Sequence, residues 1–254
     1  MKSSVEKKFD KYEKRGNQNW EQMMSKDFRF FNAYQQARYG WIVRFAGDLR
    51  GKKILDLGCG GGSLTYILAK AGAEVTGVEQ EGLGLQFAKE NLMTVDRDKN
   101  WKYSFVQASA YELPFEKDYF DTVVNCEVIE HLENPEKMLQ EVARVLKKGG
   151  KFILTTPYRL TEVPQDPNHV KEYFPGELEA MLKKYFSNVG IKLTHHMFWR
   201  AFYTYPVRLY KRRPLGKWFV NILVLLFGWN PFMIDHATPG KFDVFSTICA
   251  WGSN

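Results

Sequence analysis

A glycine-rich turn flanked by two carboxylates is the first stretch of this sequence whose residue types indicate binding chemistry. Gly58 and Gly60 lie in ILDLGCGGGSL, between an apolar run and a helical pattern, where glycines let the backbone turn tightly and approach a ligand. Asp56 stands two positions before the first glycine, and Glu79 ends the next apolar run. A carboxylate at the position of Glu79 can accept hydrogen bonds from two ribose hydroxyls. The pattern therefore predicts a site for a nucleoside-containing cofactor.

A second group of chemically capable residues lies in EVIEHLENPEK. Glu127, Glu130 and His131 stand at positions i, i+3 and i+4, so a helical segment would project all three onto one face. One interpretation makes His131 a general base with Glu130 beside it, because the pKa of histidine lies near neutrality. The other makes the three residues ligands of a divalent metal ion. We favour a structural or general active-site role for His131 over metal ligation.

Three further histidines are weaker candidates. His169, in PNHVKEYF, follows a proline-rich loop and is interpreted either as a second acid or base or as a residue that stabilises the loop by hydrogen bonding. His195 and His196 lie in an alternating strand pattern, which predicts that they are surface residues.

The elements that must position these residues alternate, from residue 52 onwards, between short apolar runs and helical stretches. The first five predicted strands are KKILDLG, AEVTGVE, KYSFVQA, FDTVVNCEV and KFILTTP. The helix before the fifth strand is PEKMLQEVARVLKKGG, which its two glycines are expected to close. This alternation predicts an α/β fold with a doubly wound parallel sheet and helices on both faces. Ligands of such sheets bind at the carboxyl ends of the strands.

Three parts of the sequence carry a resemblance to a known family: DLGCGGG, the acidic residue that ends the next strand, and the segment from ASAYELPF to KFILTTP. In these parts the sequence resembles the class I S-adenosylmethionine (SAM)-dependent methyltransferases. The resemblance covers about residues 50–160. Asp56 separates this pattern from that of a dehydrogenase, because an acid there would repel a pyrophosphate, whereas SAM has no phosphate and carries a positive sulfonium. The resemblance implies SAM as the cofactor. It also implies a Rossmann-like seven-stranded sheet with six parallel strands and one antiparallel strand.

The resemblance assigns roles by position. The residues implied to contact SAM are Asp56, Gly58 and Gly60 at the methionine end, Glu79 at the ribose, Gln80 beside the adenine, Ser109 and Ala110 at the adenine edge, and Glu127 on the cofactor side. Ser109 departs from the family, which commonly has an acidic residue there. Methyltransferases similar to those that O-methylate ubiquinone precursors associate the Glu127, Glu130 and His131 triplet with a magnesium-type site.

The chain is interpreted as a single methyltransferase domain with three parts. Residues 1–50 are expected to form a helical, aromatic-rich cap, and residues 51–160 the SAM-binding core. Residues 161–254 would form the substrate-side half, which contains an insert at about residues 198–242.

This insert lies between the last two predicted strands, IKLTHHM and FDVFSTICAW, which form an antiparallel pair in the resembled fold. It would therefore hang over the acceptor pocket. We interpret it first as a helical lid, second as a membrane-surface element and third as an oligomer interface. In the second interpretation, basic side chains would bind anionic headgroups, and each would contribute about 1 kcal/mol to the free energy of membrane binding. These basic residues are Arg208, Lys211, Arg212, Arg213 and Lys217. Apolar side chains would enter the acyl boundary: Trp218, Phe219, Leu223, Leu226 and Phe227.

Composition limits the other partners. The formal charge of +7 permits contact with anionic partners, but the sequence has no appended RNA-binding module, so nucleic acid is not a favoured partner. The three cysteines form no CxxC pair, which argues against a zinc site or a disulfide framework. The first residues, MKSSVEKKFDKYEKRG, contain no apolar core of a signal peptide, and no segment reaches the roughly 20 apolar residues of a membrane-spanning helix. A cytoplasmic protein is expected, with a membrane surface as a candidate partner.

The predicted function is SAM-dependent O-methylation of a hydrophobic or lipid-linked small molecule, such as a quinone precursor or a glycolipid. Oxygen is favoured by elimination, because NCEV stands where adenine-amino methyltransferases carry an NPPY-type tetrad. RNA methylation and a non-catalytic interaction protein with a SAM-binding fold are the alternatives. The sequence predicts neither the acceptor atom directly nor the oligomeric state.

Overall fold

Seven strands form one mixed sheet in the order β3-β2-β1-β4-β5-β7-β6 in the computed structural model. The structure describes residues 11–97, 99–164, 166–205, 214–235 and 244–254. The strands are β1 Lys53–Leu57, β2 Glu74–Glu79, β3 Lys102–Gln107, β4 Phe120–Cys126, β5 Leu146–Pro157, β6 Ser187–His196 and β7 Phe245–Ser253. Only β7 runs antiparallel to its neighbours β5 and β6, so the predicted seven-stranded Rossmann-like sheet is confirmed.

Buried apolar runs place β1 and β4 at the centre of the sheet. The residues of β1 after Lys53 are all buried, and Leu55 of β1 pairs with Val123 of β4. After β1 the chain builds β2 and β3 on one side, and then returns to build β4 on the other. This reversal opens a crevice at the carboxyl ends of β1 and β4, where ligands of doubly wound sheets bind. Three helices make the connections: α4 Ser63–Lys70, α5 Gly82–Val95 and α6 Pro135–Val145.

The predicted boundary between the last of these helices and β5 is wrong. Helix α6 ends at Val145, and Leu146 already pairs with Phe120 of β4, before a register shift in the ladder. The two glycines expected to close the helix lie inside β5, and the amide of Gly149 donates to the carbonyl of Asn254. Hydrogen bonds to the neighbouring strand and to the last residue of the sequence therefore hold these residues in a strand, although their local sequence favours a helix.

The aromatic-rich segment before β1 is helical, as predicted. It contains α1 Lys11–Arg15, α2 Gln18–Met24 and α3 Ala33–Ala46. Helix α3 packs against β5 and β7, where Ile42 and Trp41 join a core cluster that also contains Ile153 and Cys249. The N-terminal segment is thus part of the main core.

The insert between β6 and β7 contains two helices, α8 Met197–Thr204 and α9 Leu215–Phe227, and α7 Pro175–Leu182 precedes β6. Helix α8 starts directly after the carboxyl end of β6, and the amide of Met197 donates to the carbonyl of Val244. Because β6 is parallel to β4, the insert leaves the sheet at its ligand-binding edge. Arg208, Lys211, Arg212 and Arg213 lie outside the described residues. No helix within the described ranges is both long and apolar enough to cross a membrane.

Asn221, the one polar residue in the apolar run of α9, connects the insert to the N-terminal segment. Its amide nitrogen donates to the carbonyls of Phe28 and Phe31, both at 2.6 Å. Its carbonyl oxygen accepts from the amide of Ala33 at 3.3 Å and from the hydroxyl of Tyr203 at 3.1 Å. The side chain is fully buried, so these partners replace water around it. The insert is therefore a packed part of the domain on this side.

His195 is not a surface residue, contrary to the sequence-based prediction. Its side chain is only 2% exposed, and its Nε2 lies 3.1 Å from the carbonyl oxygen of Tyr34. A left-handed backbone conformation, with φ of 58°, turns the residue inward near the end of β6. Burial and the neighbouring Arg38 lower the pKa of His195 to about 3, so the ring is neutral in the folded protein. His196 begins α8 by accepting a hydrogen bond from the amide of Phe198.

Replacing Asn221 with leucine should destabilise the protein. The Asn221→Leu variant leaves buried backbone groups without partners, which costs about 1–3 kcal/mol each, so we expect a loss of at least about 2 kcal/mol in the free energy of unfolding. Chemical denaturation followed by circular dichroism measures this loss. Leu226→Ala, at an exposed site on the same helix, is the control and should stay within about 0.5 kcal/mol of the wild type. Equal stability of the two variants would contradict a connecting role for Asn221.

Candidate active site

The glycine turn lies at the carboxyl end of β1, inside the crevice. Gly58 and Gly60 have left-handed φ angles of 78° and 53°. The amides of Gly58 and Cys59 both donate to the carbonyl of Val78, at 2.8 and 2.9 Å, which ties the turn to β2. A side chain at Gly58 would collide with Val128, which follows β4. Glycine is therefore required here both by the backbone conformation and by the close approach of the opposite wall of the crevice.

Glu79 ends β2 beside the turn, where its carboxylate accepts three backbone hydrogen bonds. The donors are the amides of Gly60 at 3.1 Å, Gln80 at 2.8 Å and Glu81 at 3.0 Å. These contacts fix the carboxylate at the mouth of the crevice. The side chain of Gln107 in turn donates to the carbonyl of Gln80 at 3.1 Å. The carboxylate is thus held beside the glycine turn, and its contact with a ribose stays a prediction.

Ser109 and Ala110 form the turn that follows β3. The hydroxyl of Ser109 accepts a hydrogen bond from the amide of Tyr111 at 3.2 Å, and Ala110 packs against the main core. The amide of Ala108 donates to the carbonyl of Glu79 at 3.3 Å, so this turn borders the predicted ribose position. That position agrees with an adenine edge, and the contact itself stays a prediction.

Asp56 lies buried beneath the glycine turn. Its Oδ2 accepts a hydrogen bond from the hydroxyl of Thr65, at 2.6 Å. Burial raises the pKa of Asp56 to about 7, because a buried carboxylate loses its hydration and is also repelled by Glu79. The carboxyl group is thus half protonated near neutrality in the protein alone. A cationic ligand above it would favour the ionised form.

Tyr12, from α1, covers the same turn and was not identified from the sequence. Its hydroxyl lies 2.5 Å from the position that a Cβ atom on Gly60 would occupy, and its ring packs on Gly84 and Phe87. Burial, followed by the charge of Glu79, raises the pKa of the Tyr12 phenol. Helix α1 therefore closes the glycine turn from the side of the N-terminal segment.

Arg38, from α3, is the second residue that sequence reasoning missed. Its guanidinium forms a 3.0 Å ion pair with Glu127 and lies 4.7 Å from the ring centroid of Tyr34. Within the described residues, Nε of Arg38 and Oε1 of Glu127 are buried and have no hydrogen-bond partner. A cation and unsatisfied polar atoms at the edge of the crevice suit the ammonium and carboxylate of an amino-acid ligand. Glu127 faces Arg38 at this edge of the crevice, and its contact with SAM stays a prediction.

The segment EVIEH is not an α-helix, so the side chains of Glu127, Glu130 and His131 do not share one face. Glu127 has a left-handed φ of 58°, and a 3-10 turn follows from Ile129 to His131. This conformation sends Glu127 towards Arg38 and directs Glu130 into the core. The hydroxyl of Thr156 donates to Oε2 of Glu130 at 3.0 Å.

Glu130 also holds a loop in place through its backbone. Its carbonyl accepts hydrogen bonds from the amides of Val170 at 2.7 Å and Lys171 at 3.2 Å. Its side chain is fully buried, and burial together with the charge of Glu127 raises the pKa well above that of an ordinary glutamate. Glu130 therefore has a structural position, and it connects the turn after β4 to the loop that carries His169.

This connection brings His131 and His169 together. Their ring centroids lie 4.9 Å apart. Nδ1 of His131 lies 3.0 Å from the carbonyl oxygen of Asn168, and Nδ1 of His169 lies 2.8 Å from the carboxylate of Glu172. Because a carbonyl can only accept, Nδ1 of His131 carries a proton. In the neutral ring Nε2 is then the basic nitrogen, which is the arrangement of an oriented general base.

The residues that come together do not fit a magnesium site. Glu130, His131 and His169 each offer a ligand atom within 4.8 Å of the others, while Glu127 is turned towards Arg38. Magnesium prefers an octahedral shell of oxygen ligands, whereas two of these three donors are imidazole nitrogens. The predicted ligand set of Glu127, Glu130 and His131 is therefore not assembled, since the side chains of its members diverge.

Comparison with known proteins agrees with this geometry. Residues 55–154 match the family model described as a methyltransferase domain. The ubiquinone biosynthesis O-methyltransferase of Pectobacterium carotovorum is 30% identical over 168 residues, which cover 60% of this chain and 69% of that relative. The chain belongs to the class I SAM-dependent methyltransferases. Across similar relatives of the same name, this methyltransferase spans from 52% to 69% of their length.

Solved structures share the fold of this methyltransferase at lower sequence identity. A SAM-dependent methyltransferase from Aquifex aeolicus has a TM-score of 0.53 at 18% identity, covering 62% of this chain and 82% of that one. Phosphoethanolamine N-methyltransferase 2 from Haemonchus contortus, in complex with phosphomonomethylethanolamine and S-adenosylhomocysteine, has a TM-score of 0.65 at 18% identity. That match covers 97% of this chain and 59% of the other. The fold is therefore shared along most of the chain, including the N-terminal segment.

The raised pKa of Asp56 predicts that SAM binding strengthens with pH. SAM brings positive charge to the methionine end, so binding should ionise Asp56 and release a proton between about pH 4 and pH 7. We expect the dissociation constant of SAM to fall by up to about tenfold per pH unit from pH 5 to pH 7 and then to level off. Isothermal titration calorimetry, in buffers of different ionisation enthalpy, measures both the affinity and the released proton.

Asp56→Asn should abolish this pH dependence, whereas Asp118→Asn, which changes an exposed aspartate, should retain it. The same slope in both variants would show that another group is responsible. In the absence of SAM, the pH dependence of the free energy of unfolding has the opposite sign to that of SAM affinity. A carboxyl pKa that is raised on folding makes the protein less stable as pH rises from about 4 to about 7, and Asp56→Asn should remove that loss.

Proposed function

We propose that this methyltransferase transfers the methyl group of SAM to an oxygen of a hydrophobic or lipid-linked acceptor, with His131 as the general base. The observation that carries the proposal is the oriented ring of His131, whose Nδ1 donates to the carbonyl of Asn168 at 3.0 Å. The ring lies at the carboxyl end of β4, on the edge of the sheet that also carries the glycine turn.

The residues around the crevice fit SAM as the methyl donor. When bound, SAM supplies an activated methyl group on a sulfonium, so the protein must align the acceptor and remove its proton. The glycine turn gives close backbone access, and Glu79 is held where ribose hydroxyls would donate to it. Arg38 and Glu127 together provide opposite charges for the amino-acid end.

Proton removal falls to the histidine pair. His131 would accept the hydroxyl proton of the acceptor on Nε2 while its Nδ1–H stays on the loop carbonyl. His169 lies within ring contact of His131, and its own Nδ1 is held by Glu172. Because Glu172 orients this ring beside His131, His169 is the second candidate for the acid or base. Glu130 is buried and positions the loop through its backbone carbonyl, so it is not the proposed base.

A hydrophobic acceptor is supported by the insert and by the relatives. Helices α8 and α9 leave the sheet at its ligand edge and are rich in Trp, Phe and Leu. The relatives of about 30% identity are named for ubiquinone biosynthesis and for O-methylation, which is the chemistry expected of a phenolic quinone precursor. Together these observations favour an apolar phenol over a small polar acceptor.

Substitution of His131 tests the proposed base. His131→Ala should lower kcat by about 10²–10⁴-fold, because general-base catalysis contributes about that much, while the affinity for SAM should change by less than about twofold. Initial rates with a polyprenylated catechol acceptor and calorimetric titration with SAM measure the two effects. His196→Asn is the matched control, since asparagine keeps the helix cap and removes an imidazole outside the site. Full activity of His131→Ala would rule out His131 as the base.

A chelator should leave the methyl-transfer rate unchanged. The donor set of Glu130, His131 and His169 does not suit magnesium, so the proposed reaction depends on the histidine base instead of a metal ion. Rates measured after dialysis against EDTA, with and without added Mg²⁺, check this. Loss of activity with EDTA and recovery with Mg²⁺ would replace the base mechanism with a metal-assisted one.

A nitrogen acceptor is the second candidate, because the Haemonchus contortus structure with the same fold holds phosphomonomethylethanolamine. RNA methylation rests only on the net charge of +7, and a non-catalytic role is opposed by the intact glycine turn and Glu79.

Transfer of labelled methyl groups from SAM into the lipid, small-molecule and RNA fractions of a cell extract separates these possibilities. We expect label in an apolar fraction, on an alkali-stable ether, and label confined to RNA would contradict the proposal.

A further inference from the structure

Helices α8 and α9 present an exposed apolar face that the described part of the chain does not cover. We define this exposed apolar face by six side chains that are 40–73% exposed: Phe198, Phe202, Tyr205, Phe219, Leu226 and Phe227. Phe202 of α8 and Phe219 of α9 meet edge to face, with ring centroids 6.1 Å apart, so the face continues from one helix to the other. A continuous apolar surface of this kind usually marks an interaction site.

The other sides of the two helices are already packed. Tyr203, Val220 and Val224 belong to a buried cluster with Phe31 and Phe232. The exposed side chains are therefore not needed to hold the insert on the domain. Close packing makes the two helices one unit, because a side chain at Gly216 of α9 would collide with the carbonyl of Phe202 in α8.

The sequence of the insert from α8 to the end of α9 carries charge of a single sign. Residues 197–227 contain six lysines or arginines and no aspartate or glutamate. Two of the cations lie within the helices themselves, Arg200 in α8 and Lys217 in α9. Aromatic and leucine side chains next to cations, without acids, are the composition of helices that lie in the interface of an anionic bilayer.

We propose that the exposed apolar face binds the surface of an anionic phospholipid bilayer. Its Phe and Leu side chains would enter the boundary between headgroups and acyl chains, while the basic residues would neutralise the headgroups. A second copy of this chain fits less well, because it carries the same charge of +7 and the same acid-free helices. Since no helix in the described ranges can cross a membrane, the contact is with the surface.

The position of the exposed apolar face determines where a bound bilayer would lie relative to the acceptor entrance of the crevice. Helix α8 begins at His196, where β6 ends, on the same edge of the sheet as the histidine pair. A bilayer bound at the insert would therefore lie on the side from which acceptors reach the crevice. The membrane contact goes beyond the proposed reaction and does not depend on it, since vesicle binding is measured without SAM or acceptor.

Vesicle co-sedimentation with matched variants tests the proposal. The protein is mixed with phosphatidylcholine vesicles that contain either no anionic lipid or about a third phosphatidylglycerol. The test variant is the double substitution Phe219→Ser and Phe227→Ser. The control is Met93→Ser and Val163→Ser, which removes two side chains of 70% and 74% exposure elsewhere on the surface. Calorimetric titration with SAM verifies that both variants remain folded at the cofactor site.

We expect the wild type and the control to bind anionic vesicles at least about tenfold more strongly than neutral ones, with binding weakened by salt. The test variant should bind anionic vesicles at least about tenfold more weakly than the control. Equal binding by the two variants would overturn the proposal, and so would equal binding to the two kinds of vesicle. A wild-type dimer in light scattering that the test variant loses, without any vesicle binding, would assign the face to a second copy instead.

Discussion

The reversal of strand order between β1 and β4 is the constraint on which the functional part of this molecule depends. Because the chain builds β2 and β3 outward before it returns to β4, the loops after β1 and β4 diverge to opposite sides of the sheet. The glycine turn fills one side of the crevice, and the segment EVIEH fills the other. The contact between Gly58 and Val128 is the point at which the two walls meet. Tyr12 covers the first wall at Gly60, and Arg38 pairs with Glu127 on the second.

Two buried polar residues fix the segments that the sheet does not hold. Glu130 attaches the loop of His169 to the turn after β4, and Asn221 attaches α9 to the N-terminal segment. Hydrogen bonds of this kind add little net stability, because water made them in the unfolded chain, but their loss on substitution is costly. Their main effect is to select one arrangement among several apolar packings. The histidine pair proposed for catalysis and the exposed apolar face therefore owe their positions to specific polar contacts and not to hydrophobic burial alone.

The sequence was informative where a short stretch determines both structure and chemistry. Short apolar or alternating runs predict all seven strands, and Asp56, the glycines and Glu79 lie at the carboxyl ends of β1 and β2 as their spacing predicts. Errors occur where distant residues decide the outcome. Leu146 joins a strand because Phe120 is there to pair with it, and His195 is buried because α3 covers it. Arg38 and Tyr12 could not be found from motif spacing, since their partners lie far along the chain. The sequence indicated a possible role for these two residues only through their place in the predicted N-terminal cap.

The left-handed backbone at Glu127 has a further effect on the site. It lets one short segment face in two directions, with Glu127 on the predicted cofactor side and His131 on the acceptor side. Consecutive Cα atoms are about 3.8 Å apart, and this distance hardly varies. The two side chains are therefore only four Cα steps apart along one short turn, in which the amide of His131 donates to the carbonyl of Val128 at 2.9 Å. A shift of the N-terminal helices or of the insert relative to the sheet leaves this covalent spacing between Glu127 and His131 unchanged.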